Sequence, residues 1–340
     1  GHIALIQRGT CTFGVKAANA AAAGASAVII FNQGNLPTPD RQGLIIGTLG
    51  GSVGIPVVGA SFADGMALAQ PGSIAVVRVD PPQNMTQHNV IAESAGGDPN
   101  NVVVAGAHLD SVQRGPGIND NGSGSAALIE VAEQMAKVNP RNKVRFAWWG
   151  AEEAGLVGSE AYVNSLSAED ISRIALYLNF DMIGSPNHVC FVYDGDNSDG
   201  VGAPAGPPGS AEIEQTFERY YNSVGAPFKG TDFSGRSDYG PFIAVGVPAG
   251  GLFTGAEGIK TVGEAAIWGG TAGQPYDPCY HLACDTFANN NDAALDTNSD
   301  AVAYAVLQYA MNTADVNAVK GKGNFPINPN DWKQQVVPAR

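Results

Sequence analysis

Two adjacent carboxylates, Glu152 and Glu153, follow an apolar run at residues 144–149. The run is typical of a buried strand, so the pair is expected at the strand's carboxyl end, where open α/β sheets bind their ligands. Neighbouring side chains diverge there, so one carboxylate can bind a metal while the other transfers a proton beside it. A charged turn between a strand and a helix is the plainer explanation of an isolated Glu-Glu pair, so the rest of the chain must decide.

A second apolar run, at residues 101–106, leads to His108 and Asp110. Alternate residues of a strand share a face, so the two side chains are expected on the same side of the sheet. Asp110 can then hydrogen-bond the second imidazole nitrogen of His108 and orient the ring as a metal ligand. The alternative for a lone histidine at a strand end is a structural or surface position.

Three more segments offer metal-binding side chains. Asp120 lies in a glycine-rich loop ahead of a predicted helix, Asp181 directly follows a third apolar run, and His281 lies close to Cys279. Helix capping is the alternative role for Asp120. Close approach of a ligand is equally compatible with this loop, because its glycines permit unusual backbone geometry.

Together these segments supply five imidazole or carboxylate ligands and no thiolate. The five are His108, Asp120, Glu153, Asp181 and His281. Mixed histidine and carboxylate ligation suits catalytic zinc. Five ligands exceed the three that usually hold one catalytic zinc, and they match two metals about 3.5–4 Å apart that share a carboxylate.

The elements that must position these ligands alternate between strand and helix from Asn89 onward. We predict strands at 89–93, 101–106, 143–149, 174–180, 188–193 and near 246–253, and helices at 122–137, 155–165, 211–223 and 292–313. This alternation predicts an α/β fold with a mostly parallel central sheet and helices on both faces.

The first 83 residues form a separate compositional block. Strands are predicted at 3–6, 28–31, 55–58 and 74–79, and helices at 13–24 and 61–69, which together make a small α/β domain. Asp80 and two prolines begin a stiff linker over residues 80–83. We therefore predict domains at 1–83 and 84–319, followed by a loose tail at 320–340 that is rich in Gly, Pro and Asn.

Composition excludes two classes of partner. The formal net charge of −14 argues against nucleic acid, which requires a basic surface. No apolar stretch approaches the roughly 18 residues of a membrane helix. Cys279 and Cys284 are close enough in sequence to form a small disulfide loop, which would indicate an oxidising compartment; the alternative is that all four cysteines are free thiols. Cys11 and Cys190 are expected to be unpaired.

Five motifs, in the same order along the chain, closely resemble the M28 di-zinc aminopeptidases. They are His108 with Asp110, residues 117–124, Glu152 with Glu153, residues 179–184 and residues 279–281. The resemblance spans about residues 89–313 and implies a zinc-exopeptidase-like fold. Residues 8–13, 16–17 and 24–25 resemble the protease-associated (PA) domain, a non-catalytic lid or interaction module.

The resemblance also implies a role for each ligand. Asp120 would bridge two zinc ions, with His108 and Asp181 completing one site and Glu153 with His281 the other. A cis peptide bond would follow Asp120.

Further residues are implied in catalysis and binding. Glu152 would be the general base and acid, and Tyr280 would hydrogen-bond the oxyanion, so that the catalytic set is Glu152, Tyr280 and the orienting Asp110. Arg236 would help to hold the free amino end of the substrate, and Phe253 would line the apolar S1 pocket.

Asp296 and Asp300 match two ligands of a calcium site in one member of the family. The other calcium ligands belong to an opening segment of the catalytic domain that is absent here. We expect a processed or truncated chain that lacks both this segment and the start of the PA domain.

The sequence thus predicts a secreted, monomeric di-zinc aminopeptidase that acts on peptide or protein N-termini. Large apolar N-terminal residues such as Leu are the expected preference. Two alternatives stay open: another M28-like hydrolase, such as a carboxypeptidase or deacylase, and a non-catalytic binding protein built from the same domains.

Overall fold

The structure is a computed structural model that describes residues 1–37, 39–45, 47, 49–80, 85–202 and 204–320. Residues 81–84, which include most of the predicted linker, and residues 321–340, which include all but the first residue of the predicted tail, lie outside the described residues. The chain divides into two compact units, Gly1–Thr86 and Gln87–Arg340.

Unit 1 is a small α/β unit. Its elements are β1 (Ile3–Gln7), α1 (Phe13–Ala22), β2 (Ala27–Phe31), α2 (Pro39–Gln42), β3 (Val57–Ala60) and α3 (Phe62–Leu68). In the described part of the unit the strands form a parallel sheet in the order β1-β2-β3. Because β2 is central, its five residues are all buried, with Val28 and Ile30 facing one apolar cluster and Ile29 and Phe31 another.

The predicted strand at 74–79 is wrong. This segment does not join the sheet, although its alternating apolar pattern is used for packing. Ala75 and Val77 pack on the cluster around Phe31, whereas Ile74 and Val76 are each 90% exposed. A period of two therefore indicated which side chains face inward, but not whether the backbone would pair with another strand.

Unit 2 alternates strands and helices. Its strands are β4 (Val90–Glu93), β5 (Asp98–His108), β6 (Asn142–Trp149), β7 (Ile174–Phe180), β8 (Phe191–Tyr193), β9 (Lys229–Thr231) and β10 (Ala249–Phe253). Its helices are α4 (Gly124–Met135), α5 (Val157–Ser165), α6 (Ala168–Arg173), α7 (Ser210–Val224), α8 (Gly240–Ala244), α9 (Val262–Trp268), α10 (Asp292–Met311) and α11 (Ala314–Lys320). Short π-helical and 3₁₀ turns occupy Ile118–Ser123 and Phe287–Asn289.

Within the described residues, the sheet of unit 2 has the order β4-β6-β5-β7-β10-β8-β9. The pairs β5·β6, β5·β7, β7·β10 and β8·β9 are parallel, and β4·β6 and β8·β10 are antiparallel. The predicted mostly parallel α/β sheet is confirmed.

Alternate residues of β5 face two separate cores. Val103 and Ala105 pack in a cluster that includes residues of α4, α7 and α10, and Val102 and Val104 pack in a cluster that includes residues of α5 and α8. Helices therefore cover both faces, which explains why the central strands are apolar throughout. Across the described residues, no helix is both long and apolar enough to cross a membrane.

Two predicted strands are shorter in the structure. The segment 188–193 forms a strand only at Phe191–Tyr193, and that near 246–253 only at Ala249–Phe253. In the second case Gly246 has a φ of 81°, and Pro248 has no N–H to donate to a neighbouring strand, so pairing begins after them.

The sheet places an open crevice at the carboxyl end of β5. The chain continues from β5 to β6 on one side, and β7 then lies on the other side of β5. Helices after β5 and β6 therefore diverge, which makes this point the expected ligand site of an open parallel sheet. His108, Trp149 and Phe180 end the three strands that meet there.

Candidate metal centre

Two of the predicted ligands come from neighbouring strand ends. His108 is the last residue of β5, and Asp181 directly follows β7. The His108 Nε2 atom lies 3.2 Å from Asp181 Oδ1 and 3.3 Å from Asp120 Oδ1. These three side chains form one group that could hold a metal ion.

A second group shares Asp120. The His281 Nε2 atom lies 3.1 Å from Asp120 Oδ2 and 2.9 Å from Glu153 Oε2. Asp120 therefore turns one carboxylate oxygen toward each histidine, in the arrangement expected of a ligand shared by two ions.

Buried contacts fix the backbone at Asp120. The peptide bond between Asp120 and Asn121 is cis, as the family resemblance implied. The two carboxylate oxygens of Asp285 accept hydrogen bonds from the backbone N–H groups of Asn119 (2.9 Å) and Asp120 (3.1 Å). Asn121 in turn donates to the Phe180 carbonyl oxygen at 2.9 Å, which ties the loop to the end of β7.

The loop that carries His281 is braced by a disulfide. The predicted bond between Cys279 and Cys284 is present and encloses Tyr280 and His281, and Cys11 and Cys190 are free, as predicted. Asp277 and Asp285 flank this loop.

Asp277 also ties the loop to the segment before Asp120. Its carboxylate accepts hydrogen bonds from the Cys279 backbone N–H (2.8 Å) and the Asn119 side chain (2.7 Å). The two loops that meet at the metal ligands are therefore held together by buried carboxylates.

Asp110 makes more contacts than the sequence indicated. The His108 Nδ1 atom lies 3.0 Å from the Asp110 backbone carbonyl oxygen and 3.7 Å from its carboxylate. The carboxylate oxygens instead accept the backbone N–H groups of Glu152 (2.9 Å) and Glu153 (3.1 Å). Asp110 thus joins the ends of β5 and β6 and positions both glutamates.

A buried chain of hydrogen bonds leads from the sheet to Asp181. Trp149 Nε1 donates to the Tyr177 hydroxyl, and that hydroxyl donates to Asn179 Oδ1. Asn179 Nδ2 then donates to Ser237 Oγ at 2.9 Å, and Ser237 donates to Asp181 Oδ2 at 2.6 Å. The chain leaves Asp181 Oδ1 to face His108.

The cluster attracts positive charge. Burial lowers the pKa of His281, but hydrogen bonds to Asp120 and Glu153 outweigh it and raise that pKa to about 10. Burial also lowers the pKa of His108, yet Asp181 and the neighbouring carboxylates raise it well above its usual value. Such a concentration of carboxylates requires compensating cations, either protons or metal ions.

Glu152 lies beside the two groups without belonging to either. Its burial, together with the negative charges of Asp181 and Asp238, raises its pKa to about 9, against an opposing effect of His108. Glu152 therefore holds a proton more tightly than a carboxyl group exposed to water.

A cavity of about 100 Å³ opens beside these groups. Its lining includes Glu152, Tyr280, Arg236 and Phe253, so these four predicted residues share one space, whereas Asp110 lies outside the lining. The Arg236 Nη2 atom lies 3.8 Å from Glu257 Oε1 across a partly exposed part of the wall.

The predicted calcium ligands lie elsewhere. Asp296 and Asp300 are exposed and one turn apart on α10. Among the described residues, neither belongs to a group of three imidazole or carboxylate side chains that could hold an ion.

Sequence reasoning gave no role to Ser237, Asp277 or Asp285. The contact of Ser237 with Asp181 spans 56 positions. Asp285 contacts the segment before Asp120 across more than 160 positions. Sequence spacing carries no signal for such contacts.

Two family descriptions match the chain. Residues 89–306 match peptidase family M28, and residues 1–68 match the PA domain. The first match covers most of unit 2 and includes all five candidate ligands.

Curated relatives and solved structures agree with these matches. The chain is 56% identical to an aminopeptidase of Pseudomonas aeruginosa over 93% of this chain and 59% of that one, and 48% identical to leucine aminopeptidase 2 of Trichophyton rubrum over 99% and 66%. It therefore spans about three-fifths to two-thirds of the length of these relatives.

Among solved structures, a zinc aminopeptidase from Bacillus subtilis aligns with a TM-score of 0.70 at 29% identity, covering 93% of this chain and 72% of that one. An aminopeptidase from Aneurinibacillus sp. strain AM-1 aligns at 0.69 with 32% identity, covering 91% and 69%. With its family match, its relatives and its fold in agreement, the chain belongs to peptidase family M28.

Proposed function

We propose that this chain is a di-zinc aminopeptidase that hydrolyses the N-terminal peptide bond of peptides and proteins. The observation that carries the proposal is the position of Asp120, whose two oxygens lie 3.3 Å from His108 Nε2 and 3.1 Å from His281 Nε2. The names of the relatives and of the zinc aminopeptidase from Bacillus subtilis support the same activity and metal.

The residues fit a pair of zinc ions. His108, Asp181 and Asp120 would hold one ion, and His281, Glu153 and Asp120 the other. Glu153 Oε1 is buried and has no hydrogen-bond partner in the described part of the chain, as expected of an oxygen whose partner is a cation. Zinc bound there would supply a nucleophile at neutral pH and would polarise the peptide carbonyl.

The chain's own groups would handle the proton and the charge. Glu152 takes a proton from the attacking water and passes it to the leaving amine, a role that its position beside both metal-binding groups in the cavity favours. Tyr280 lines the same cavity and donates a hydrogen bond to the oxyanion. Asp110 holds Glu152 in place through the backbone.

Substrate selection would involve the rest of the cavity. Phe253 forms part of an apolar wall for large N-terminal side chains such as Leu, and Arg236, which lines the same cavity, helps to position the N-terminal residue of the substrate. Only the first bond is cut, because a free amino group is required in the cavity.

The disulfide supports secretion, since such bonds persist in oxidising compartments. We further propose that the protein acts as a monomer on peptide substrates and that Asp296 and Asp300 contribute to a calcium site.

The test compares leucine p-nitroanilide with its N-acetylated form, using the zinc-replete full chain. We expect release of nitroaniline from the free amine only. Cleavage of the blocked substrate would instead indicate a deacylase or another hydrolase on the same scaffold. If folded, zinc-loaded protein cleaved neither compound, the result would favour a non-catalytic binding protein.

A further inference from the structure

The buried chain of hydrogen bonds that ends at Asp181 runs in one direction. An indole N–H is a donor only, so Trp149 Nε1 must donate to the Tyr177 hydroxyl, at 2.8 Å. That hydroxyl has a single proton, which it donates to Asn179 Oδ1 at 3.0 Å. The Asn179 amide is thereby oriented with its NH₂ group toward Ser237 Oγ, at 2.9 Å.

This direction decides what reaches the metal ligand Asp181. Because Ser237 Oγ accepts a hydrogen bond from Asn179, its own proton is directed to Asp181 Oδ2, at 2.6 Å. The other oxygen, Asp181 Oδ1, lies 3.2 Å from His108 Nε2 on the side of the metal-binding group. The chain thus selects which oxygen of Asp181 faces a metal ion and supplies a donor to the other.

Solvent has little access to any member of the chain. Trp149 and Tyr177 are fully buried, and Asn179 and Ser237 are 1% and 5% exposed. A polar group lost from the chain would therefore be replaced poorly by water. In such surroundings each hydrogen bond depends on the next, so a change at Tyr177 should be felt at Asp181.

The two metal-binding groups differ in this support. They are the His108 group (His108, Asp120 and Asp181) and the His281 group (His281, Asp120 and Glu153). Glu153 Oε2 lies 2.9 Å from His281 Nε2, and among the described residues Glu153 Oε1 has no hydrogen-bond partner. The donor chain therefore acts on the carboxylate of the His108 group and not on that of the His281 group.

We propose that Tyr177 is a positioning residue for Asp181, and that it strengthens zinc binding by the His108 group alone. Without its hydroxyl, the Asn179 amide loses the donor that orients it and can turn to present Oδ1 to Ser237. The Ser237 hydroxyl then donates to Asn179, and Asp181 Oδ2 faces an oxygen lone pair in place of a proton. This inference rests on the zinc binding of the proposed function.

Zinc titration of the metal-free full chain against a chelating dye tests the inference in two backgrounds. His281→Ala keeps all three ligands of the His108 group, and His108→Ala keeps those of the His281 group. In the His281→Ala background, Tyr177→Phe should weaken zinc binding about 3- to 10-fold, as expected for the loss of one hydrogen bond. Ser237→Ala removes the last donor and should weaken it about 10- to 100-fold. In the His108→Ala background both variants should bind zinc unchanged.

Tyr221→Phe is the matched control. Tyr221 is also fully buried, and its hydroxyl donates to Asn298 Oδ1 at 2.5 Å, between α7 and α10 and outside both metal-binding groups. This variant loses a comparable hydrogen bond and should bind zinc unchanged. A second check uses both ends of the chain: once Ser237→Ala is present, Tyr177→Phe should not weaken zinc binding further, because Tyr177 acts through Ser237.

Equal zinc affinity for Tyr177→Phe and Tyr221→Phe in the His281→Ala background would overturn this inference alone. Equal weakening of both groups, or additive effects of Tyr177→Phe and Ser237→Ala, would do the same, since either result indicates a general loss of structure. Unchanged zinc affinity in Ser237→Ala would overturn it even if Tyr177→Phe did not fold. Absence of zinc binding by the folded chain without substitutions would instead contradict the proposed function.

Discussion

Both units of the chain build parallel strands flanked by helices, but they bury different kinds of side chain. In unit 1, the buried residues that the structure describes are apolar or Gly except for Asn32. Unit 2 buries several carboxylates, among them Asp120, Asp238 and Asp285. Burial of an unpaired charge costs much free energy, so these carboxylates indicate positions where the fold binds a ligand or holds a loop in place.

The buried carboxylates of unit 2 are themselves of two kinds. Asp285 uses both oxygens to hold backbone N–H groups, and so acts as part of the scaffold. Asp120 turns both oxygens toward histidines and faces the cavity. In this chain, the loops that carry Asp120 and His281 are thus held by a separate set of carboxylates, Asp277 and Asp285, that do not belong to the metal-binding groups.

The largest expected effect is at the residue that handles the proton. Glu152→Gln should lower kcat for leucine p-nitroanilide about 10²- to 10⁴-fold while zinc content stays unchanged, because an amide cannot shuttle a proton. Glu153→Gln is the adjacent control and should lose zinc as well as activity, since Glu153 belongs to a metal-binding group. Turnover near that of the wild type in Glu152→Gln would remove Glu152 from the mechanism.

A smaller effect is expected one contact away from the metal ligands. In the wild type, each carboxylate oxygen of Asp285 accepts a hydrogen bond from a backbone N–H group. In Asp285→Asn, an amide NH₂ replaces one of these oxygens and cannot accept, so the loop that carries Asp120 should shift. Zinc affinity should fall about 10- to 100-fold, measured by competition with a chelating dye.

Asp292→Asn, an exposed position on α10, serves as the control for Asp285→Asn and should bind zinc as the wild type does. Equal zinc affinity for Asp285→Asn and the wild type would show that the Asp285 contacts do not position Asp120.

The smallest expected effect is on the free energy of unfolding, and it differs between the cores of the two units. Val28 in β2 and Val103 in β5 are both fully buried, but Val28 packs mainly against small or partly exposed neighbours, and Val103 packs in the large core. Val103→Ala should lower the free energy of unfolding by about 2 kcal/mol, and Val28→Ala should lower it by less, because the thinner core of unit 1 loses fewer contacts.

Hydrogen exchange in β2 and β5 can measure the two changes separately. Val28→Ala should also leave zinc content and leucine p-nitroanilide turnover unchanged. A larger loss in Val28→Ala than in Val103→Ala would reverse the contrast between the two units.

The strands of the central sheet could be predicted because they are buried on both faces. Runs such as residues 174–180 are apolar except for Asn179, which is a strong signal, and the structure has a strand at these same residues. Helices α8 and α9 are short and carried no comparable pattern. In unit 1, the segment 74–79 was wrongly predicted to be a strand. An alternating apolar pattern arises from a strand in a sheet and equally from an unpaired segment that packs one side on the core.

The candidate ligands at strand ends could be predicted from topology. Carboxyl ends of adjacent parallel strands must lie together, which placed His108, Glu153 and Asp181 near one another. Their roles as ligands stay a prediction. The contacts of Ser237 and Asp285 could not be predicted, since they join loops that only the folded sheet brings together.

The zinc content of the purified, zinc-replete full chain tests the central claim most directly. If Asp120 bridges two sites, elemental analysis after removal of free metal should find two zinc ions per chain. One tightly bound zinc ion, or none, in protein shown to be folded would contradict the account.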